Sequence, residues 1–267
     1  MYKFTHLHVH SQYSILDGAA SIAGLISKSK EYNMEAVALT DHGSMFGVKE
    51  FFNTAKREGI KPLIGCEAYI ARESRHIKDK EDKKHRSGNH LVIIAKNKKG
   101  YHNLLKLVSY SYTEGFYYKP RMDKELLRKY HEGLIVASAC LGGEIPQAIM
   151  KGKIEEAEKA ILEYKEIFGE DFYLELQRHK TGIPERDKDI YDWQKIVNKE
   201  IVSLADKHNI KYIATNDVHF LNKDDYDAHD ILICLNTGRD KDDPTRMKYT
   251  GREYFTSQEE MNELFSD

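Results

Sequence analysis

The sequence predicts an α/β fold in which seven strands form a closed or nearly closed barrel. Short apolar runs alternate with amphipathic stretches, a pattern typical of parallel strands joined by right-handed helical crossovers. Seven such runs within 267 residues favour a barrel over an open sheet. Residue types that bind metal ions directly follow several runs, at the strand ends where β/α barrels build their sites.

The predicted elements follow one another in a regular order along the chain. The predicted strands span residues 4–9, 36–40, 62–70, 91–95, 134–138, 172–176 and 212–215. The predicted helices span residues 22–32, 48–58, 104–114, 124–131, 154–168, 186–208 and 224–235. Asn33, Gly59 and Gly169 mark the ends of three helices, because Asn and Gly tolerate the left-handed backbone of a helix terminus.

The polar stretch of residues 72–89 contains no convincing crossover helix. A solvated surface loop is the favoured interpretation of this stretch, and a loop that contacts DNA is the alternative. Two strands joined without a crossover are normally antiparallel. We therefore expect residues 91–95 to run antiparallel to residues 62–70.

The composition excludes several classes of protein. Hydrophobic residues make up 40% and charged residues 31%, which is typical of a globular chain and not of a disordered one. No apolar run approaches the ~20 residues that span a bilayer, and no signal-peptide core follows Met1. Lysine and arginine number 41 against 43 acidic residues, so any nucleic acid must be held by a local site or a neighbouring domain.

The cysteines and the chain end add two expectations. Cys66, Cys140 and Cys234 form no CxxC pair, which argues against a disulfide framework or a zinc ribbon and favours a reducing, cytoplasmic compartment. The chain stops just after an amphipathic helix begins beyond Ser257, which indicates a C-terminally truncated piece of a longer protein.

Histidines alternate with apolar residues near the start of the chain, at His6, His8 and His10. Alternation places the three imidazoles on one face of a strand, where two neighbours can converge on one metal ion. Such a pair taken alone is as often a coincidence or part of a polar network. The motif therefore needs support from other strand ends.

Two further apolar runs supply that support. Asp41 and His42 directly follow residues 36–39, and Asp217 and His219 follow residues 212–214. A histidine at a strand end can instead cap the strand or pack in the core. Three strand ends that carry His and Asp make coincidence the weaker interpretation.

Four single residues complete the candidate set. Glu67 lies in an apolar strand, where an unpaired carboxylate is costly to bury and a metal ion removes that cost. Cys140 is either a small core residue or a thiolate ligand, and Asp17 is either a turn or capping residue or a ligand. His90 lies at the barrel mouth only if its strand is antiparallel. Imidazoles, carboxylates and a thiolate together suit zinc, manganese or iron, and clusters of such ions hydrolyse phosphate esters.

Several motifs resemble the PHP domain, named for polymerase and histidinol phosphatase. They are His8-Val9-His10, Thr40-Asp41-His42-Gly43, Glu67 and Asn216-Asp217-Val218-His219. More narrowly, SILDG at 14–18, GIKPLIGCEAY at 59–69 and GFYYKPR at 115–121 look like the N-terminal PHP domains of bacterial replicative DNA polymerase III alpha subunits. The resemblance covers residues 1–267 as one metal-dependent phosphoesterase domain and implies a distorted seven-stranded (β/α)7 barrel.

The resemblance also implies nine ligand positions for a cluster of three divalent metal ions, which are zinc, manganese or iron. By motif these positions are His8, His10, Asp17, His42, Glu67, His90, Cys140, Asp217 and His219. All nine carry residues that bind metals, as in family members whose PHP domain is an active 3′–5′ exonuclease.

The resemblance further assigns roles within this set. One metal falls to His8, His10 and Asp217, a second to His90 and Cys140 with Glu67 as the bridge, and the third to Asp17, His42 and His219. The catalytic residues among them are Asp17, Glu67, Asp217 and His219.

Five residues outside the ligand set also receive expectations. Asp41 and His6 are expected to orient ligand imidazoles. For Arg121, Arg178 and His179 a structural role is favoured over contact with phosphate.

The implied function is hydrolysis of 3′-terminal phosphodiesters, that is, proofreading within a polymerase chain. This piece alone is not expected to synthesise DNA. The implied partners are the primer 3′ end of DNA, the remaining polymerase domains, and replisome subunits such as the sliding clamp and a proofreading subunit, with no membrane. Two alternatives are a metal-stabilised platform for the polymerase and its proofreading subunit, and a free-standing histidinol-phosphate-type phosphatase.

Overall fold

The computed structural model describes residues 2–81 and 86–266. Its strands are β1 (Ala36–Leu39), β2 (Lys61–Ile70), β3 (Asn89–Ala95), β4 (Arg121–Met122), β5 (Leu134–Ala137), β6 (Phe172–Gln177) and β7 (Tyr212–Thr215). Its α-helices are α1 (Ile22–Glu31), α2 (Val48–Glu58), α3 (Lys98–Thr113), α4 (Lys124–Tyr130), α5 (Glu144–Met150), α6 (Ile154–Phe168), α7 (Pro184–Asp187), α8 (Tyr191–His208), α9 (Tyr226–Thr237) and α10 (Gln258–Leu264).

The strands form one curled sheet with the order β1-β2-β3-β5-β6-β7, and β4 pairs with β2 outside this path. β3 runs antiparallel to β2 and to β5, and the other pairs are parallel. The predicted α/β barrel class is confirmed, and so is the antiparallel direction of β3. The connection before β3 has no helix among its described residues, and residues 82–85 of that predicted loop lie outside the described part of the chain.

The prediction of a regular first strand over residues 4–9 is wrong. The backbone of this segment still bridges the sheet edges: His6 and Val9 accept hydrogen bonds from residues beside or in β1, and His10 donates to Val218 just after β7. The ladder is irregular because the Thr40 hydroxyl, not a carbonyl, accepts the hydrogen bond of the Val9 amide at 2.8 Å. The segment therefore closes the gap between the first and last strands, and β4 is the seventh strand.

Most predicted helices are present, with three differences. α3 begins six residues before its predicted start, because the Asn97 side chain caps it by accepting a hydrogen bond from the Gly100 amide. The predicted helix over 186–208 is divided into α7 and α8, and α5 was not predicted. Ser257 caps α10 with a capping box, as the helix predicted beyond that residue requires.

Alternation along β3 separates two apolar layers. Leu91 and Ile93 belong to the large core packed against the outer helices, whereas Val92 and Ile94 belong to a smaller cluster inside the curled sheet. Glu67 lies opposite Val92 in the β2–β3 register. The interior of the sheet is thus apolar toward one end and opens onto polar residues at the other. No helix in the described ranges is long and apolar enough to cross a membrane.

Candidate metal centre

The nine predicted ligand residues converge at one end of the curled sheet. Glu67 lies on β2 and His90 at the start of the antiparallel β3, and the other seven follow or flank strand ends. His8 lies on the closing segment, His10 directly follows it, and Asp17 lies in the loop after that. This loop passes so tightly that a Cβ atom at Gly18 would lie 2.1 Å from the Ser11 carbonyl oxygen, so glycine is required there.

Glu67 occupies the centre of the cluster, and its side chain is fully buried. Four imidazole nitrogens surround its carboxylate: His8 Nε2 at 3.2 Å, His10 Nε2 at 3.2 Å, His42 Nδ1 at 2.7 Å and His90 Nδ1 at 3.0 Å. The Cys140 sulfur lies 3.8 Å from Glu67 Oε1 and 3.6 Å from His90 Nδ1. One carboxylate thus contacts four imidazoles and the thiol of the cluster.

Two aspartates flank this centre. Asp217 Oδ1 lies 3.2 Å from His8 Nε2 and 3.3 Å from His10 Nε2. Asp17 Oδ2 lies 2.7 Å from His42 Nε2 and 3.3 Å from His219 Nε2. Each predicted ligand therefore contacts at least one other predicted ligand.

The cluster leaves buried polar atoms without hydrogen-bond partners. Within residues 2–81 and 86–266 these atoms include His8 Nε2, His10 Nε2, His42 Nδ1, Glu67 Oε2 and Asp217 Oδ1. They approach one another but lack hydrogen-bond geometry. Buried polar groups are otherwise almost always paired, because an unpaired one costs about 1–3 kcal/mol. The donor set fits divalent cations, which would bind these same atoms.

Within the described part of the chain, three groups of donor atoms lie close enough together to hold a cation, within 4.8 Å of one another. The groups are His8 with His10 and Asp217, His10 with His42 and His219, and His42 with Glu67 and His90. The first is the set that the resemblance assigns to one metal. The other two groups cut across the remaining assignments. They share His42, and the second group shares His10 with the first, so these two histidines lie between neighbouring positions.

Charges in the cluster shift the ionisation of the imidazoles. Burial opposes protonation of His8, His42 and His219, but the carboxylates beside them outweigh burial and raise the pKa of each, that of His42 to about 10. Burial and the neighbouring imidazoles lower the pKa of His10. Without cations, protons on histidines therefore supply the positive charge that the carboxylates require.

The carboxyl groups of the cluster have lowered pKa values, which complements the raised pKa values of three of the histidines. Burial alone would raise the pKa of Asp17, Glu67 and Asp217, yet the surrounding imidazoles hold it well below the usual carboxyl value. Burial and nearby carboxylates raise the pKa of the Cys140 thiol well above its usual value. A cation is the partner that would favour the thiolate.

Among the described residues, three of the six non-glycine residues with left-handed φ values lie at or directly before a candidate ligand. Leu16, Ala139 and Asp217 adopt left-handed φ values of 64°, 63° and 48°. Leu16 precedes Asp17, and Ala139 precedes Cys140. Such conformations cost non-glycine residues about 1–3 kcal/mol and persist where the surrounding structure holds a site.

Several residues that touch the cluster were missed in the sequence. Glu175 on β6 lies 2.6 Å from His8 Nδ1, and the Tyr249 hydroxyl lies 3.0 Å from both Asp17 Oδ1 and His219 Nε2. Glu175 carried the same signal as Glu67, a carboxylate inside an apolar strand. No sequence signal distinguished Tyr249 from the other tyrosines.

Of the two residues expected to orient ligand imidazoles, Asp41 lies in position to do so and His6 does not. Asp41 accepts a hydrogen bond from the Ser14 hydroxyl, which lies 2.9 Å from His10 Nδ1, so Asp41 positions His10 through Ser14. His6 instead packs against Phe255 and lies 2.9 Å from the Thr256 carbonyl oxygen, outside the cluster. The expectation for His6 is wrong, because the irregular segment does not keep three alternating side chains together.

The other three polar residues support the fold, the role that was favoured for them. Arg121 is fully buried and donates to the carbonyl oxygens of Gly115, Arg75 and Ile77. Arg178 donates to the Leu264 carbonyl oxygen. His179 is buried and lies 2.9 Å from the Asn216 carbonyl oxygen, where it supports the segment that carries Asp217.

Two cavities meet at the cluster. The larger, of about 730 Å³, is bounded by His90, Cys140, Asp217 and His219 and by residues 185–190 and 244–249. A smaller one of about 350 Å³ reaches Asp17, His42 and His90 from the other side. The cluster is therefore accessible to a ligand of nucleotide size.

The curled α/β sheet thus carries a cluster of histidines and carboxylates at its strand ends. Residues 6–179 match the PHP domain family, and the chain belongs to that family. The predicted resemblance to PHP domains is thereby confirmed.

The curated relatives of the chain include DNA polymerase III alpha subunits. The chain is 51% identical over 266 residues to the DNA polymerase III subunit alpha of Borreliella burgdorferi, covering 99% of this chain and 22% of that protein. It is 42% identical over 270 residues to the DNA polymerase III subunit alpha of Thermus aquaticus, covering 99% of this chain and 21% of that protein. The chain spans about a fifth of the length of these relatives.

Among solved structures, a putative metal-dependent phosphoesterase from Bifidobacterium adolescentis aligns with a TM-score of 0.48 and 12% identity. The alignment covers 100% of this chain and 96% of that structure.

Proposed function

We propose that this chain is the phosphoesterase domain of a DNA polymerase III alpha subunit and hydrolyses 3′-terminal phosphodiesters of DNA, as a 3′–5′ proofreading exonuclease. The observation that carries the proposal is the set of unpaired buried donors around Glu67 and Asp217. They lie beside two open cavities, where a phosphodiester can enter. The names of the curated relatives supply the polymerase context.

The nine residues from His8 to His219 would hold up to three divalent metal ions, for which zinc, manganese and iron all match the imidazole, carboxylate and thiol donors. Bound cations would supply an activated water molecule and neutralise charge on the phosphate. We keep the grouping of His8, His10 and Asp217 on one ion, since these donors lie together. Asp17, Glu67, Asp217 and His219 remain the residues proposed as catalytic.

The chain's own residues would prepare this centre. Glu175 accepts a hydrogen bond from His8 Nδ1, which leaves Nε2 directed at Glu67 and Asp217. Ser14 and Asp41 fix His10 in the same way. Because these imidazoles are held before a ligand binds, little ordering is left to be done at binding.

The proposed partners are the primer 3′ end and the remaining domains of the polymerase chain. The proposal extends to the sliding clamp and a proofreading subunit as neighbours in a cytoplasmic replisome. With a net charge of −2, the chain offers little long-range attraction to DNA. Affinity for DNA should therefore be weak unless the salt concentration is low.

The test is nucleotide release from the 3′ end of a mismatched primer–template by the manganese-loaded chain. We expect Asp217→Asn to abolish release, because it removes a charge shared by His8 and His10. Asp224→Asn, the same change at an exposed residue outside the cluster, should release nucleotides at the wild-type rate.

Two results would contradict the proposal. Equal release by the Asp217→Asn variant would mean that a contaminating nuclease, or another site, does the chemistry. Absence of release from fully metal-loaded wild-type protein would instead favour a structural platform, in which the metals only stabilise the fold.

A further inference from the structure

The smaller cavity joins two kinds of side chain in one space. Its floor is formed by members of the metal centre, namely Asp17, His42 and His90. Its wall carries the aromatic residues Phe46, Tyr69 and Tyr112 together with Lys119. A molecule with a charged group at the metal centre must therefore extend past these rings.

The aromatic residues of this wall continue onto the surface. The exposed fractions of Phe46, Tyr112 and Phe116 are 60%, 37% and 49%. The ring centroids of Phe46 and Tyr112 lie 6.0 Å apart, and those of Tyr112 and Phe116 lie 6.1 Å apart with an angle of 28° between the ring planes. A row of exposed aromatic rings is unusual on a protein surface and marks a place where an apolar or aromatic group binds.

The charges of this wall favour an anionic ligand. Among the described residues that line the cavity, Asp17 is the only carboxylate, and its oxygens already contact His42, His219 and Tyr249. The exposed Lys119 ammonium lies 5.5 Å from the Tyr69 ring centroid. The larger cavity, by contrast, is lined by four carboxylates and three cations, namely Glu185, Asp189, Asp217 and Glu253 against Lys188, Arg246 and Lys248. A negatively charged strand meets less repulsion over the aromatic wall.

We propose that Phe46, Tyr112 and Phe116 stack the last unpaired bases of the DNA strand whose 3′ end lies at the metal centre, and that Lys119 contacts its backbone phosphate. Exposed aromatic rings beside a cation are the combination with which proteins bind single-stranded nucleic acid. The inference rests on the proposed function, since it takes the 3′ end at the cluster as given. It adds that the substrate is an unpaired strand.

The test is a binding measurement that needs no hydrolysis. The probe is a fluorescent oligothymidylate of about 12 nucleotides whose 3′-terminal linkages are phosphorothioates, compared with the same strand lacking its last three bases. Fluorescence anisotropy at low salt, with manganese-loaded protein, gives both dissociation constants. We expect wild type to bind the complete strand about 5- to 100-fold more tightly than the abasic one.

Variants test whether the aromatic rings cause the tighter binding of the complete strand. Phe46→Ala and Tyr112→Ala should lose it, whereas Tyr112→Trp should keep it, because tryptophan still stacks. The control is Tyr212→Ala, which removes a ring of 46% exposure at the start of β7, outside both cavities. Melting curves verify that each variant is folded.

The inference is overturned if wild type binds both strands equally, or if Tyr212→Ala weakens binding as much as Tyr112→Ala does. Its failure is distinguishable from failure of the proposed function. Nucleotide release without any preference for the complete strand contradicts the stacking proposal and supports the exonuclease proposal. Preference for the complete strand without nucleotide release supports the stacking proposal and contradicts the exonuclease proposal.

Discussion

Two buried polar regions of this molecule differ in whether protein atoms alone supply the partners that their buried polar groups require. Around Arg75, the guanidinium meets Glu114 at 2.7 Å and Asp123 at 3.0 Å, while Asp123 also caps α4 through the Leu126 amide. Around Glu67, five buried donor and acceptor atoms have no partner in the described ranges. Both regions bury charge, which is costly unless paired. The difference indicates that protein atoms complete the first region, whereas the second offers buried donor atoms placed closely enough to hold a metal ion.

The largest effect is expected at the complete region. Asp123→Ala removes the buried carboxylate that pairs with the Arg75 guanidinium, leaving Glu114 as its partner at 2.7 Å, and it also removes the cap of α4. We expect a loss of about 3–5 kcal/mol in the free energy of unfolding, because a buried ion pair is broken and a helix cap is lost. Urea denaturation measures it, with Glu125→Ala, which removes an exposed carboxylate 3.5 Å from Arg75, as the mild control.

That loss should be the same with and without manganese. A loss that disappears on metal loading would mean that the Arg75 region depends on the metal centre, and the contrast between the two regions would be wrong.

A smaller effect is expected at the residue that orients His8. Glu175→Gln keeps the shape of the side chain but weakens its hold on His8 Nδ1, which now lies 2.6 Å from the carboxylate. We expect metal affinity to fall about 10- to 100-fold, the usual cost of losing a partner that orients a ligand histidine. Calorimetric titration of metal-free protein measures it.

Glu158→Gln is the matched control, because its carboxylate also lies 2.6 Å from a histidine, His208, outside the cluster. Unchanged metal affinity in the Glu175→Gln variant would show that packing alone orients His8.

The smallest effect concerns pH in the metal-free protein. The pKa of His42 is raised to about 10, and those of His8 and His219 are also raised. Their protonated forms therefore stabilise the fold fully below the unfolded pKa of about 6.5, and this stability is lost as pH rises through the folded values. We expect the melting temperature of metal-free protein to fall between pH 6.5 and 9.

Metal ions need the deprotonated imidazoles, so the rise in melting temperature on metal loading should grow over the same pH range. The Glu67→Gln variant should show a shallower dependence, because it lacks the carboxylate that holds the protons. A metal-free wild type that is equally stable at pH 6.5 and pH 9 would contradict this account.

The sequence allowed the convergence of His8, His10, His42, Asp217 and His219 to be predicted, because strand ends share one side of a barrel. The complete set of nine followed from the family resemblance. His90 depended on a single deduction, that a connection without a helix reverses β3, and the pairing of β2 with β3 bears it out. Asp17 could be placed only through the family resemblance, since a loop aspartate has no periodicity.

What the sequence could not predict depends on tertiary contacts. Residues 4–9 carry strand alternation, yet the Thr40 hydroxyl interrupts the ladder and His6 lies beside Phe255. Tyr249 reaches Asp17 across 232 positions of sequence, which no local pattern encodes. The exposed row of Phe46, Tyr112 and Phe116 likewise joins distant segments.

The most direct test of the central claim is the number of metal ions that the metal-free chain binds, measured by elemental analysis after manganese loading and removal of free metal. The account predicts up to three ions per chain in wild type, and fewer in Glu67→Gln, with a rise in melting temperature that accompanies loading. A wild type that binds no ion, or a Glu67→Gln variant that binds as many as wild type, would contradict the claim that the unpaired donors around Glu67 form a metal centre.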